Sequence, residues 1–397
     1  MTQYQVTLDH QLLNQLFIGE SRDAAVAALL ETVLNQVLKA QATEQLSASE
    51  YERTEERQGH RNGSYNRGLT TRVGSITLQV PRFRDGKFST ELFQRYQRTE
   101  QALVLTLMEL VINGVSTRKV TKVTEELCGT TFSKSTVSEL CKQLDPIISA
   151  WNNRSLRETA YPFIIMDAMY VKVREDGRVR SRGVFIGYGV NSIGNREILG
   201  LMVGNTESKE SWGSFFQQLK SRGLHGVDCI TSDSHGGIVE AIQQHFQGAT
   251  WQRCQSHFMK NILDATPKNI QAGVKGMVRA IFESPKPAIA RKCLEDTLNA
   301  YQDKAPKAME ILENGFEDAT AILHYPEMYH VRLRTSNGIE RVNGEIRRRE
   351  RVIRIFPNRE SVVRLIGSVL MEIETNWEAS RTYMDMTEYH EWCKDKK

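Results

Sequence analysis

The chain has 397 residues, of which 40% are hydrophobic, and 52 Lys and Arg stand against 48 Asp and Glu for a formal net charge of +4. That length and apolar content are enough for two or three domains with buried cores. No apolar run approaches the roughly 18 residues of a membrane-spanning helix. No charged n-region and apolar h-region open the sequence, and its six cysteines are scattered, so a cytoplasmic protein with reduced thiols is expected. The charge is mild in sum but uneven. Arg53, Arg57, Arg61, Arg67, Arg72, Arg82 and Arg84 form one cluster and Arg341 to Arg359 another, the footprint of a chain that grips a polyanion at chosen places or of two solvated faces.

Residues 1–58 read as helical, with Leu12, Leu13, Leu16 and Phe17, then Ala25, Val26, Leu29, Leu30, Val33, Leu34 and Leu38 at helical spacing. Packing or self-association suits such a pair. Residues 59–96 form a basic β-hairpin region. Arg61-Asn62-Gly63-Ser64-Tyr65 and Arg67-Gly68 look turn-rich, Thr71 to Ile76 looks like a strand bent at Gly74, and Ser75 to Arg82 alternates. Arg61, Arg67 and Arg82 are candidates for phosphate contact, and a solvated hairpin fits the same residues. Residues 97–150 carry a helix begun near Val115-Ser116-Thr117-Arg118, a Cys128-Gly129 stop, and a second helix from Ser133. Helix, glycine turn, then a Lys/Ser/Thr-rich helix start is the helix-turn-helix plan, which would present Arg118, Lys134, Ser135 and Thr136 to a groove. Any αα-hairpin shares that outline.

Residues 151–257 change texture to α/β. Strands are expected at Phe163–Val173, Arg182–Val190 and Ile198–Val203 as an antiparallel meander, then a helix over Ser211–Leu219 and a strand ending at Asp233. A helix over Ile238–Phe246 and a strand over Thr250–Arg253 follow. Three strands, helix, strand, helix, strand is the order of a ribonuclease H-like domain with a mixed five-stranded sheet. In such a sheet strands one and four are neighbours, so Asp167 and Asp233 would stand side by side at their tips. Residues 258–332 return to helix and read as an all-helical insertion. Residues 333–385 complete the α/β domain with a basic helix bearing Glu340 and a closing helix over Val362–Tyr383, and 386–397 are the tail, read as polar and frayed after Tyr389.

An ionised Asp at the end of a buried strand is costly unless offset, and a metal ion is a common offset. Two strand-end aspartates, Asp167 and Asp233, with the helix-borne Glu340 are the parts of a two-metal phosphoryl-transfer site. Metals about 3.5–4 Å apart would be held by these carboxylates. Oxygen-only ligands point to two Mg²⁺ ions, with Mn²⁺ as substitute. Glu345 competes with Glu340, but five residues apart on one helix they point about 140° apart. Glu345 is better read as an ion-pair partner of nearby Arg. Cys254-x-x-His257 lacks a second pair at zinc spacing, which favours a supporting role beside the carboxylates. His235 either touches the scissile phosphate or is a loop histidine. Arg341, Arg347, Arg348, Arg349 and Arg351 are expected along phosphates near the site.

Several of these segments resemble the Mutator-type bacterial insertion-sequence transposases: Phe163-Ile164-Ile165-Met166-Asp167-Ala168-Met169-Tyr170, Ser232-Asp233-Ser234-His235-Gly236-Gly237, Trp251 to His257, Thr335 to Arg341, and Arg347 to Asn358. The Arg61 to Arg82 hairpin resembles that family too, and the matches run from near residue 50 to near residue 380. Ser234 departs from the Gly or Ala expected in many relatives. The resemblance implies a DDE catalytic domain with an all-helical insertion before the Glu, with Asp167, Asp233 and Glu340 as triad and Cys254 and His257 as the family's Cys-x-x-His signature. It further implies cleavage and strand transfer at terminal inverted repeats and target DNA, by a copy-out route through a circular intermediate. A homodimer or larger assembly, associated with the nucleoid, would hold two element ends. A nuclease or resolvase that cuts without joining leaves the helix-turn-helix and insertion unexplained. A non-catalytic DNA-binding regulator would be expected to have lost a carboxylate.

Overall fold

A computed structural model of the chain describes residues 4–18, 22–84, 88–90, 92, 99–115, 117–128 and 132–395. The chain divides into two units, Met1–Lys142 and Gln143–Lys397. Among the described residues, no helix is long and apolar enough to cross a membrane.

The first unit opens with helices α1 (His10–Ile18) and α2 (Arg22–Leu46), followed by a hairpin of β1 (Arg61–Thr71) and β2 (Gly74–Phe83). Strand β2 alternates as its sequence predicts, with Ile76, Leu78 and Val80 buried together with Leu38 of α2. Side chains of α2 also cover the outer edge of β2: Glu31 Oε2 accepts from Thr77 N at 3.0 Å, and Asn35 Oδ1 from Gln79 N at 2.7 Å. Such cover protects unpaired strand groups from further pairing. Two local expectations are corrected here. Arg61 to Gly68 is strand rather than turn, its glycine-rich start being a bulge between Arg61 and Ser64 with Gly63 at φ +71°. Gly74 does not bend a strand; it closes the tight turn in which Thr71 pairs with Gly74. Helices α3 (Gln101–Ile112), α4 (Thr117–Cys128) and α5 (Lys134–Cys141) complete the unit, and Ser133 caps α5 by accepting from Thr136 N at 3.0 Å.

The second unit begins with α6 (Asp145–Asn152) and then lays down the meander β3 (Phe163–Glu175), β4 (Arg178–Val190) and β5 (Arg196–Gly204). Helix α7 (Lys209–Ser221), β6 (Cys229–Ser232), α8 (Gly236–His245) and β7 (Thr250–Arg253) follow. The five strands form one mixed sheet in the order β5-β4-β3-β6-β7. As expected, the first and fourth strands are neighbours, and they run parallel with Phe163 opposite Cys229 and Ile165 opposite Thr231.

Both faces of the sheet are covered, which accounts for the unbroken apolar run Phe163–Met166. Ile164 and Met166 pack with Trp212, Phe215 and Phe216 of α7 and Ile238 and Ile242 of α8. Phe163 and Ile165 face the opposite layer. That layer is built from the helical run α9 (Gln255–Asp264), α10 (Gln271–Phe282), α11 (Pro287–Tyr301), α12 (Pro306–Thr320) and α13 (Glu327–Leu333), then α14 (Asn337–Ile353), α15 (Arg359–Glu378) and α16 (Thr387–Asp395). Here two more expectations fail. The closing helix stops at Glu378, and the tail is helical rather than frayed. Tyr389 is buried with its ring 5.1 Å from that of Phe163, and its N–H donates to Tyr329 Oη at 2.9 Å. A few aromatic anchors thus order a polar segment.

Candidate active site

The pairing of Ile165 with Thr231, continued two residues along, sets Asp167 level with Asp233. Asp233 stands just past the end of β6, but the expectation that Asp167 ends its strand is corrected: β3 runs on to Glu175, because its hairpin with β4 extends beyond the parallel pair. Asp167 is half-buried, and Ala168 N donates to its Oδ1 at 2.9 Å. Burial, then the neighbouring Asp233 charge, push its carboxyl from 3.8 up to about 7. Asp233 accepts from His235 N at 3.2 Å, and His235 Nδ1 in turn caps α8 by accepting from Gly237 N at 3.3 Å.

Helix α14 carries the third acid to this pair. Asn343, one turn beyond Glu340, donates from Nδ2 to Asp167 Oδ2 at 2.7 Å, locking the helix onto β3. Its Oδ1 is buried with no hydrogen-bond partner. Ser336 Oγ bridges Glu340 Oε1 at 2.9 Å and Cys254 Sγ at 3.1 Å, and Ser336 N donates to the same sulfur at 3.3 Å. The α14 start can sit this low only because residue 338 is glycine: a Cβ there would lie 2.2 Å from Tyr188 Oη.

Cys254 Sγ, a His257 nitrogen and a Glu340 oxygen lie within 4.8 Å of one another, with His257 Nε2 3.9 Å from Glu340 Oε1. Burial works against the Cys254 thiolate, but His257 and Ser336 outweigh it and hold the thiol below its usual range. The Cys254 sulfur raises the imidazole of His257 to about 9, against burial and with help from Glu340 and Asp233. The raised imidazole of His257 stands beside Glu340, and its Nδ1 is buried with no hydrogen-bond partner.

The sequence reading passed over Asn343, Ser336 and Glu207. Glu207 lies half-buried behind Asp233; burial raises its carboxyl, His235 lowers it, and Asp233 adds to the rise. Its Oε1 is 3.8 Å from His235 Nδ1 and accepts from Trp212 Nε1 at 3.2 Å. Nothing in the local sequence separates it from an acidic residue at the start of α7.

The basic candidates divide. Arg341, Arg347, Arg348 and Arg351 are exposed along α14. Arg349 is not: it is buried, donating to Glu345 Oε2 at 2.8 Å and Glu372 Oε2 at 2.9 Å, so its expected place along phosphates is corrected to a structural one. Glu345 also pairs with Arg348 at 3.1 Å, as its ion-pair reading anticipated. In the first unit, Arg61 Nη2 is spent on Thr43 Oγ1 and Ala48 O, at 2.8 and 3.0 Å. Arg82 is exposed over the Tyr65 ring at 4.8 Å, and Arg67 is half-buried. Ser135 and Thr136 are exposed, their hydroxyls sharing hydrogen bonds with Ser133. The side chains of Arg118 and Lys134 lie outside the described residues.

The profile of the family described as "Transposase, Mutator family" matches residues 1–380. The chain is 45% identical over 388 residues to the transposase for insertion sequence element IS256 in transposon Tn4001 of Staphylococcus aureus, covering 97% of this chain and 99% of that protein. It is 42% identical over 363 residues to the transposase for ISRM5 of Rhizobium meliloti, covering 91% of each. The transposase for IS1081 of Mycobacterium tuberculosis is 36% identical over 387 residues, 97% of this chain and 93% of that protein. The chain belongs to the Mutator family of transposases.

Proposed function

We propose that the chain binds the terminal inverted repeats of an insertion sequence and catalyses divalent-metal-dependent DNA cleavage and strand transfer, with Asp167, Asp233 and Glu340 as the catalytic acids. The observation that carries this is the convergence of Asp167 within β3, Asp233 just past the end of β6, and a helix held to the first of them by the Asn343–Asp167 hydrogen bond. The strand order, in which the first strand is flanked by the antiparallel second and parallel fourth, supports a ribonuclease H-like catalytic domain interrupted by the α9–α13 insertion. The paired α4 and α5 support a helix-turn-helix reading of the first unit.

The donor set fits Mg²⁺ or Mn²⁺. Burial and then the neighbouring Asp233 charge raise Asp167, and a buried, unpartnered Asn343 oxygen stands beside it, a set of oxygen donors that suits a hard cation. Asp167, Asp233 and Glu340 would hold two ions. Bound there, such ions supply Lewis-acid stabilisation to the attacking and leaving oxygens of an in-line displacement. The remaining work belongs to the chain. Ser336 and Cys254 orient Glu340. The raised imidazole of His257 stands beside Glu340 and can donate to a scissile phosphate. His235 holds Asp233 through its backbone N–H and leaves its ring at the surface, within reach of the DNA. Exposed Arg341, Arg347, Arg348 and Arg351 track the backbone beside the acids, and a homodimer or larger assembly holds two ends. A copy-out route, in which one nicked end joins the same strand near the other end to give a circle, is the reading we take for the sequence of steps.

The test is incubation of purified protein with labelled element-end DNA and Mg²⁺, beside Asp167→Ala. Metal-dependent cleavage leaving a 3′-hydroxyl, followed by joined products, with both lost in the variant, is expected. Cleavage without joining would make the chain a nuclease, and cleavage by Asp167→Ala would refute the carboxylate site.

A further inference from the structure

The face of α14 adjoining the one that carries Glu340 and Asn343 lines a pocket of about 520 Å³. Three guanidinium groups enter it from different elements: Arg196 from β5, Arg332 from α13 and Arg341 from α14. Arg196 packs against the rings of Trp377 and Tyr383, 4.3 and 4.1 Å from their centroids, and Arg332 lies 4.7 Å from the Tyr383 ring. Among the described residues no carboxylate forms an ion pair with any of the three. The acid lining the pocket, Glu345, is already bound by Arg348 and Arg349. Burial depresses the Arg196 guanidinium, Arg332 and Arg341 act in the same direction, and its Nε is buried with no hydrogen-bond partner. Arg196 and Arg332 are thus held by aromatic packing, Arg341 joins them in the pocket lining, and among the described residues none of the three has a counter-charge. The start of α14, a 17-residue helix, opens onto the same pocket through Asn337 and Gly338 and adds the positive end of its dipole.

We propose that this pocket is a phosphate site that seats one backbone phosphate of the DNA strand lying along α14, with Arg332 and Arg341 as contacting groups and Arg196 as a fixed positive charge behind them. Planar guanidinium forks match phosphate oxygens in pairs, which an isolated lysine does not. A DNA strand is favoured over a free anion because Arg341 is continued by Arg348, seven residues on and so on the same helix face, also exposed. The inference rests on the DNA-cleaving reading above but concerns binding alone.

Binding of the full chain to a labelled element-end duplex, over a salt series without divalent ions, tests it with Arg332→Ala, Arg341→Ala and the double variant. Both side chains are exposed, so the unfolding midpoints should match wild type. Each single variant should weaken binding by about tenfold at low salt and flatten the salt slope by about 0.9, the value for one phosphate. The double variant should lose no more slope than either single one, because both arginines meet the same phosphate. Neutralising phosphates one by one as methylphosphonates should reveal a position that weakens wild type and leaves the double variant unaffected. Wild-type slopes in all three variants would overturn the proposal. So would inorganic phosphate or pyrophosphate stabilising wild type but not Arg332→Ala while DNA affinity stays equal, which would make it a small-anion site. Binding is read without divalent ions and cleavage of the same duplex by wild type with Mg²⁺, so failure of the cleavage reading shows in a separate assay.

Discussion

Replacing Asp167 by Asn should stabilise the metal-free protein at alkaline pH. In the fold, burial and the Asp233 charge raise the Asp167 carboxyl from 3.8 to about 7. A group that holds its proton more tightly folded than unfolded favours the fold below its unfolded value, and that contribution is lost as pH rises through the folded value. The wild-type protein therefore carries a growing penalty from about pH 4 to about pH 7. At about 1.36 kcal/mol per pH unit the gap corresponds to at most about 4 kcal/mol, and partial solvation of Asp167 brings it to about 2–4 kcal/mol. Asn carries no charge to repel Asp233, but its single oxygen keeps the bond from either Asn343 or Ala168 N, and losing the other offsets about 1 kcal/mol. Urea unfolding in EDTA at pH 8 should then find Asp167→Asn more stable by about 1–3 kcal/mol, the difference shrinking to about 0–1 kcal/mol at pH 5. Adding Mg²⁺ at pH 8 should raise the wild-type midpoint and leave the variant's unchanged. A variant no more stable than wild type at pH 8 in EDTA would refute the idea that these carboxylates are held together against their own repulsion.

Three further perturbations address the frame around the acids. Glu374 of α15 is buried, pairing with Arg154 at 2.7 Å and accepting from Ile198 N at 2.8 Å; Glu374→Ala should cost about 3–5 kcal/mol in denaturant unfolding, since it strands the guanidinium and a strand N–H. Gly338→Ala should lower cleavage by displacing the start of α14 from Tyr188, and Tyr188→Phe in the same chain should restore part of it, since the hydroxyl is the obstructing group. Equal activity of the single variant and wild type would show that the close approach is dispensable. Arg349→Ala should cost about 3 kcal/mol of stability, with the salt slope of DNA binding unchanged, whereas Arg347→Ala should leave stability unchanged and flatten the slope by about 0.9.

The sheet was legible because its strands announce themselves: short apolar runs, two of them ended by Asp, separated by Gly-containing turns. Their order made Asp167 and Asp233 neighbours on paper, and the register Ile165–Thr231 makes them level. Asn343 was not legible in the same way. Its role depends on which polar side chain of α14 arrives opposite Asp167, a matter of tertiary register. Glu207 fails for a like reason, since an acid near a helix start needs no further explanation. The polar tail was misjudged on composition, although Tyr389, Trp392 and Cys393 sit at helical spacing and mark a packed face. Arg349 illustrates the same lesson most sharply. Counted by charge it belongs with Arg347, Arg348 and Arg351. Counted by phase it belongs with Val342 and Ile346, four and three residues apart on the buried stripe of α14. One helix therefore presents its charge in three ways: Arg349 inward to fix it on α15, Arg341 into a pocket, and Arg347 and Arg351 to solvent. Because the same helix carries Glu340 and Asn343, the inward arginine bears on catalysis through position, and the outward ones through the strand they can hold.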